Sequence, residues 1–388
     1  MRTLHRYVMD IRRLDGELLH QEVLVPDWEP AVEWTRLAGL RTHGIWAQGS
    51  GAEPRLEPLW HTTVGAPVIE GFRIHLCQDG VAWFADFRMG SYFADAARAA
   101  VDRLVTDRRV QEADRVRYAV AAFAIDSDSD VDRSVRFQTS EQPGTCSVAE
   151  RPIARLVSQS HDCGEPDIAD INVVMPDDVL AEIYTCAREA GRVETGGILI
   201  GHLCRDPETH DVGVEITAQI RARHTVADAA RLTFTSETWT DVRAAVALRR
   251  AHELMVGWWH LHPAHAWCEA CPVERQQVCR LASGFLSPED RSLHRAMFPR
   301  AFATALVVTN SISGLHARLF GWRNGVLEPR GFRLMRGAGS DVGQQSELAT
   351  HSSHEGNVCQ DANAPISRTL NSKGCSNDSP SPDLTDRP

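Results

Sequence analysis

A chain of 388 residues with a formal net charge of −11 is long enough for two or three folded units. It is too acidic for a general nucleic-acid binder, which needs basic stripes. Its longest apolar runs, such as residues 118–125, fall far short of the about 20 residues of a membrane span. The opening MRTLHRYVMDIRRLDG has neither the apolar core nor the cleavage site of a secretory signal. A cytoplasmic protein without nucleic-acid or membrane partners is therefore expected. Its 10 cysteines are too irregularly spaced for a disulfide framework, and clustered ones read as metal or catalytic sites.

The first unit, residues 1–125, reads as a mixed α+β module. RIHLC, VAWFADF and RYAVAAFAI have the character of strands, and SYFADAARAAVDRLV has helical spacing of Ala, Val and Leu. No repeat or catalytic motif occurs there, so a role in recognition or docking is expected. Residues 126–170 read as a polar linker. The linker's DSDSDVD resembles the start of a calcium loop. However, Val131 stands where that turn needs Gly, and Phe137 where a bidentate Glu is needed. Residues 336–388 hold nine serines and no aromatic residue. Such a segment buries too little apolar surface to offset its ordering entropy and is expected to be disordered.

The second unit, residues 171–335, alternates clearly. INVVMP is a short strand, and PDDVLAEIYTCAREA a helix with Pro at its start and acids in its first turn. TGGILIGHL and VGVEITAQI read as strands, SETWTDVRAAVALRRAHE as a long amphipathic helix and LMVGWWHLHP as a strand. SPEDRSLHRAMF opens a helix, and AFATALVVT, HARLFGWR and GFRLM close the unit as strands. Without a regular βαβ rhythm, this predicts a curved mixed sheet with helices packed on it.

Chemistry concentrates in this unit. Side chains two apart on a strand point the same way, so His260 and His262 can both reach one zinc ion at about 2.0–2.1 Å. Asp290 can supply a third ligand, and Glu194 can stay unbound as a base. Each also has a plainer reading. Two histidines on a strand are often ordinary core or surface residues. SPED is also a helix start, with Ser287 as N-cap, Pro at N1 and an acid at N3.

The order Glu, His-x-His-Pro, Ser-x-x-Asp, with the Glu before TGGILIGH and the His pair ending GWWHLHP, resembles the JAB/MPN metalloprotease family and its JAMM motif. The resemblance covers roughly residues 171–335. It implies an MPN-like curved mixed β-sheet flanked by helices, preceded by an α+β module that resembles no family. It also implies His260, His262 and Asp290 as ligands of a catalytic zinc, Glu194 as general acid/base, and Ser287 as the hydroxyl that helps hold a developing oxyanion. The implied activity is hydrolysis of amide or isopeptide bonds after the C-terminal glycine of a ubiquitin-like protein, free or conjugated, with conjugating-system enzymes as further partners. A zinc peptidase trimming a sulfur-carrier-like protein, or a non-catalytic scaffold, are the alternatives.

Two features depart from the family pattern. Leu261 stands between the histidines where the family usually has Ser or Thr, and it should face away from them. The interval from His262 to Ser287 is also longer than usual. It contains His265, Cys268, Cys271 and Cys279, which could close a structural zinc site or be free thiols or a redox pair.

Overall fold

The computed structural model describes residues 5–47, 53–61, 68–111, 114–124, 146–167, 169–223, 225–227, 232–249, 251–269, 271–272, 279–336 and 366–367. The N-terminal part runs β1 (His5–Arg13), β2 (Leu18–Leu24), α1 (Glu29–His43), β3 (Arg55–His61), β4 (Val68–Gln78), β5 (Val81–Arg88), α2 (Met89–Tyr92), α3 (Ala94–Thr106) and β6 (Arg115–Ala124). Then come β7 (Val148–Glu150), α4 (Ile153–Ser158), β8 (Ser160–Cys163), β9 (Asn172–Pro176), α5 (Asp177–Ala190), β10 (Gly196–Arg205) and β11 (Val212–Arg221). The remainder is β12 (Thr225–Ala227), β13 (Leu232–Phe234), α6 (Ser236–Arg249), β14 (Leu254–His262), α7 (Ala264–Trp267), α8 (Pro288–Met297), β15 (Thr304–Ser311), β16 (Gly314–Arg323), β17 (Val326–Arg330), β18 (Phe332–Met335) and β19 (Ile366–Ser367). The protein is mixed α+β around a curled mixed sheet. No helix among the described residues is long and apolar enough to cross a membrane.

The main sheet has ten strands in the order β17-β16-β15-β14-β10-β11-β9-β18-β8, with β7 pairing β10. Strand β14 lies between β10, antiparallel, and β15, parallel. All of its residues from Val256 to His262 are buried, as expected of a central strand covered on both faces. On one face Leu199, Trp259, Leu261, Leu306 and Val308 join a core with Ile183 and Ala187 of α5 and Leu37 and Leu40 of α1. On the other, Ile198, Trp258, Ala305 and Val307 pack with Val242 of α6 and Phe298 just past α8. Leu261 thus faces away from His260 and His262.

Smaller sheets β6-β1-β2 and β3-β4-β5 form the N-terminal part, and β19 of the tail pairs with β6 at the edge of the first. One of its cores gathers Trp28, Phe72, Phe87 and Tyr92, and a second seats α3 through Ala97, Val101 and Leu104 on Met9 and Ile11 of β1.

Several elements differ from the sequence expectation. Residues 146–163 lie in the expected linker yet carry β7, α4 and β8, which join the main sheet through β10 and β18. Buried Ile153 and partly buried Val148 and Cys163 against the main core explain why so polar a string is ordered. The predicted helix over 91–105 divides at Phe93 into α2 and α3, and the helix predicted from Ser236 ends at Arg249. Helix α1 was not foreseen, because it buries Glu33, Thr35 and Arg36 beside Leu37 and Leu40 and so hides its apolar period. The DSDSDVD run, the rest of 126–145 and the tail beyond Arg336, apart from Ile366 and Ser367, lie outside the described residues.

Candidate metal centre

The strand period puts His260 and His262 on the α6/α8 face of β14, where they are 0% and 2% exposed. Two glycines open the sheet behind them. Gly196 is paired with His260. A Cβ there would lie 2.5 Å from the Trp259 carbonyl oxygen, and one on Gly197 would lie 2.6 Å from Trp259 Nε1. Only glycine lets β10 approach β14 so closely. Leu261 N–H donates to the Thr195 carbonyl at 2.8 Å, which fixes the residue next to Glu194 beside the two histidines.

Helix α8 brings the third group. Ser287 caps it: Asp290 N–H donates to Ser287 Oγ at 3.0 Å, and Ser287 N–H donates to Asp290 Oδ2 at 2.8 Å. The helix-start reading of SPED is therefore realised, and the same capping box aims Asp290 at the histidines. Oδ2 lies 3.4 Å from His260 Nε2 and 3.7 Å from His262 Nε2. The two Nε2 atoms are 2.8 Å apart. Among the described residues this is the one group of three or more such side chains whose donor atoms converge within 4.8 Å.

Aromatic rings fix the imidazoles. Trp258 stacks on His260 with centroids 4.6 Å apart, while Trp267 and Phe285 flank His262 at 4.9 and 4.8 Å. Burial drives the His262 pKa down to about 4, against the bond to Asp290. Burial also opposes charge on His260, but Asp290 and Glu194 outweigh it and raise that pKa above the ordinary value. Burial would raise the Asp290 pKa, yet His260 and His262 hold it well below the usual carboxylate range. Glu194 is 6% exposed, and its charge acts on His260.

No protein-family model matches the chain, and no curated protein matches it in sequence. Solved structures similar to it include the solution structure of a protein from Desulfitobacterium hafniense, at 17% identity and a TM-score of 0.30. That match covers 42% of this chain and 94% of the other.

The donor set fits a small divalent cation. An ion with four tetrahedral ligands at about 2.0–2.1 Å has ligands roughly 3.4 Å apart, and the observed separations of 2.8, 3.4 and 3.7 Å bracket that figure. To offer Nε2 lone pairs, each imidazole must carry its proton on Nδ1. Both Nδ1 atoms are buried with no hydrogen-bond partner among the described residues, while both Nε2 atoms face each other and Asp290 Oδ2, the side from which an ion would be held. Two imidazoles and one carboxylate are also a ligand set typical of catalytic zinc, which keeps its fourth position open.

The expected second cluster is only partly assembled. Cys268 Sγ lies 3.4 Å from Cys279 Sγ and also bonds to Cys271. His265 places Nδ1 3.3 Å from the Asn310 carbonyl oxygen, and among the described residues the four side chains do not form a group whose donor atoms lie within 4.8 Å of one another. Burial, with Cys279 and Cys271 beside it, pushes the Cys268 thiol up to about 12. No disulfide joins the described cysteines.

Sequence reasoning missed His294. It is fully buried on α8, accepts a hydrogen bond from Trp258 Nε1 at 3.0 Å on its Nδ1, and so locks the indole that stacks on His260. Burial, reinforced by Arg295 and Arg291, lowers its pKa to about 3, which keeps it neutral. Its spacing of four from Asp290, on one helix face, was the available signal.

Proposed function

We propose that this protein is a zinc-dependent peptidase or isopeptidase of the JAB/MPN kind, which cleaves after the C-terminal glycine of a ubiquitin-like protein. The observation that carries the reading is the convergence of His260 Nε2, His262 Nε2 and Asp290 Oδ2 within 4.8 Å, with buried Glu194 close enough to act on His260. The β10–β14 pairing supports it too, since it places the TGG segment beside the His pair as the motif requires.

His260, His262 and Asp290 would hold the ion, which supplies a Lewis acid and a water whose pKa falls toward about 7. The remaining work falls to the chain. The Glu194 carboxylate takes the proton of the attacking water and returns it to the leaving amine. Ser287 Oγ already accepts the Asp290 N–H. Its own hydroxyl hydrogen remains to donate toward the carbonyl oxygen as negative charge develops there. Trp258, Trp267 and Phe285 keep water from the backs of the imidazoles.

The test is incubation of the zinc-loaded protein with ubiquitin-like fusions that carry a C-terminal extension. Chelator-sensitive cleavage after the terminal glycine supports the proposal. Cleavage unaffected by metal removal, or confined to other bonds, contradicts it.

A further inference from the structure

Helix α8 has two working faces. Asp290 and His294, four residues apart, point toward β14 through the His pair and Trp258. Arg291 and Arg295, also four apart, turn to the N-terminal part of the chain and meet one carboxylate. Asp95 on α3 receives Arg291 Nη1 on Oδ1 at 3.0 Å and Arg295 Nη2 on Oδ2 at 3.0 Å. Arg98 Nη1 adds a bond to Oδ1 at 2.6 Å, and the Asp95 side chain is only 11% exposed. Beyond the far end of α8, Arg300 Nη1 reaches Glu33 of α1 at 2.9 Å, where Glu33 is 1% exposed.

Between these links the contact is not a packed one. A cavity of about 300 Å³ lies between α3 and α8, lined by Ala96, Ala99 and Asp102 on one side and Pro288 and Ser292 on the other. Without side chains filling that space, the charge pairs with Asp95 tie the outer face of α8 to the N-terminal part, while Arg291 Nη1 also donates to the Leu327 carbonyl at 2.9 Å and Arg295 lies over the Trp322 ring. Asp290 occupies the third position of a ten-residue helix, so a small shift or tilt of α8 moves its carboxylate away from two imidazoles fixed on a buried strand.

We infer that Asp95 is a positioning residue for the metal centre: through Arg291 and Arg295 it holds α8 where Asp290 completes the ligand set. The inference rests on the reading of His260, His262 and Asp290 as a metal centre. It gives the N-terminal part of the chain a role in building the site, beyond docking. Groups that orient metal ligands from outside typically matter about 10- to 100-fold in affinity.

The experiment measures zinc affinity of the full chain by competition with a chromophoric chelator, alongside thermal unfolding. Asp95→Asn keeps the shape and removes the charge, and zinc affinity is expected to fall about tenfold. Asp170→Asn is the control for general destabilisation. Asp170 is as deeply placed, at 4% exposure, but pairs with Arg323 and Arg330 and does not touch α8. It should lower the melting temperature and leave zinc affinity within about twofold of wild type. Arg295→Gln breaks one arm, leaves Asp95 paired with Arg291 and Arg98, and should weaken zinc binding in the same direction by less; it decides the matter if Asp95→Asn does not fold. Unchanged affinity in Asp95→Asn, or in Arg295→Gln where that variant decides, or equal losses in the Asp170 control, would overturn the clamp. A wild type that binds no zinc would overturn the metal centre itself.

Discussion

At the scale of single residues, the side chains behind the ligands matter as much as the ligands. His294→Leu fills similar space but leaves the Trp258 indole N–H buried without its acceptor. That should cost about 1–3 kcal/mol in urea-unfolding free energy. Glu194→Gln is expected to retain bound zinc and lose turnover by at least about 100-fold, since Gln cannot take a proton and the side chain is not a proposed ligand. Zinc lost from this variant would show Glu194 to be a ligand. These residues differed in how openly the sequence announced them. His260, His262 and Asp290 stand in a spacing with a direct geometric meaning. His294 was hidden because a histidine on a helix carries no signal until its neighbour across the core is known. The grouping of His265 with the cysteines relied on nearness in sequence; among the described residues their donor atoms do not gather within 4.8 Å, and His265 Nδ1 lies against the Asn310 carbonyl.

At the scale of elements, the site is an agreement between one strand and one helix start. Gly196→Val should break it from the strand side. The added Cβ would fall 2.5 Å from the Trp259 carbonyl oxygen and 2.6 Å from Leu232 Cδ2, so β10 must leave β14. Loss of zinc together with a clear drop in melting temperature is the expected result; a variant that keeps both would refute the close-approach argument. Ser287→Ala removes the cap of α8 and should cost about 1 kcal/mol of stability. Strands β14 and β15 were legible because long apolar runs leave little choice of period. Strands β7 and β8 were not, because three or four residues of mixed polarity gain their strand identity only from the partner that β10 or β18 supplies.

At the scale of the whole molecule, the N-terminal part and the main sheet share a core. Leu37, Leu40 and Trp46 belong to the same cluster as Leu199 and Trp259, and Trp46 meets Phe302 edge-on at 5.7 Å. A fragment of residues 171–335 should therefore lack a cooperative thermal transition, whereas residues 1–336 should keep one. The sequence divides these units by composition, and composition cannot reveal that a helix of one completes the core of the other. Their charge pairs also set an acid limit. Burial would raise the Asp95 pKa, but Arg291, Arg98 and Arg295 bring it below the ordinary 3.8. A carboxylate with a lowered folded pKa stabilises the fold fully above its unfolded value and loses that contribution as pH falls through the folded one. The stability gap between wild type and Asp95→Asn should thus be full near neutral pH and shrink as the pH drops below about 3.8.

If His260, His262 and Asp290 together hold one catalytic ion, the zinc content of the chain must follow these three residues. After zinc loading and exhaustive dialysis, the wild type, Glu194→Gln and Cys268→Ser should each carry one zinc per chain, and His262→Ala should carry none. A His262→Ala variant that retains the full zinc content of the wild type would contradict the account.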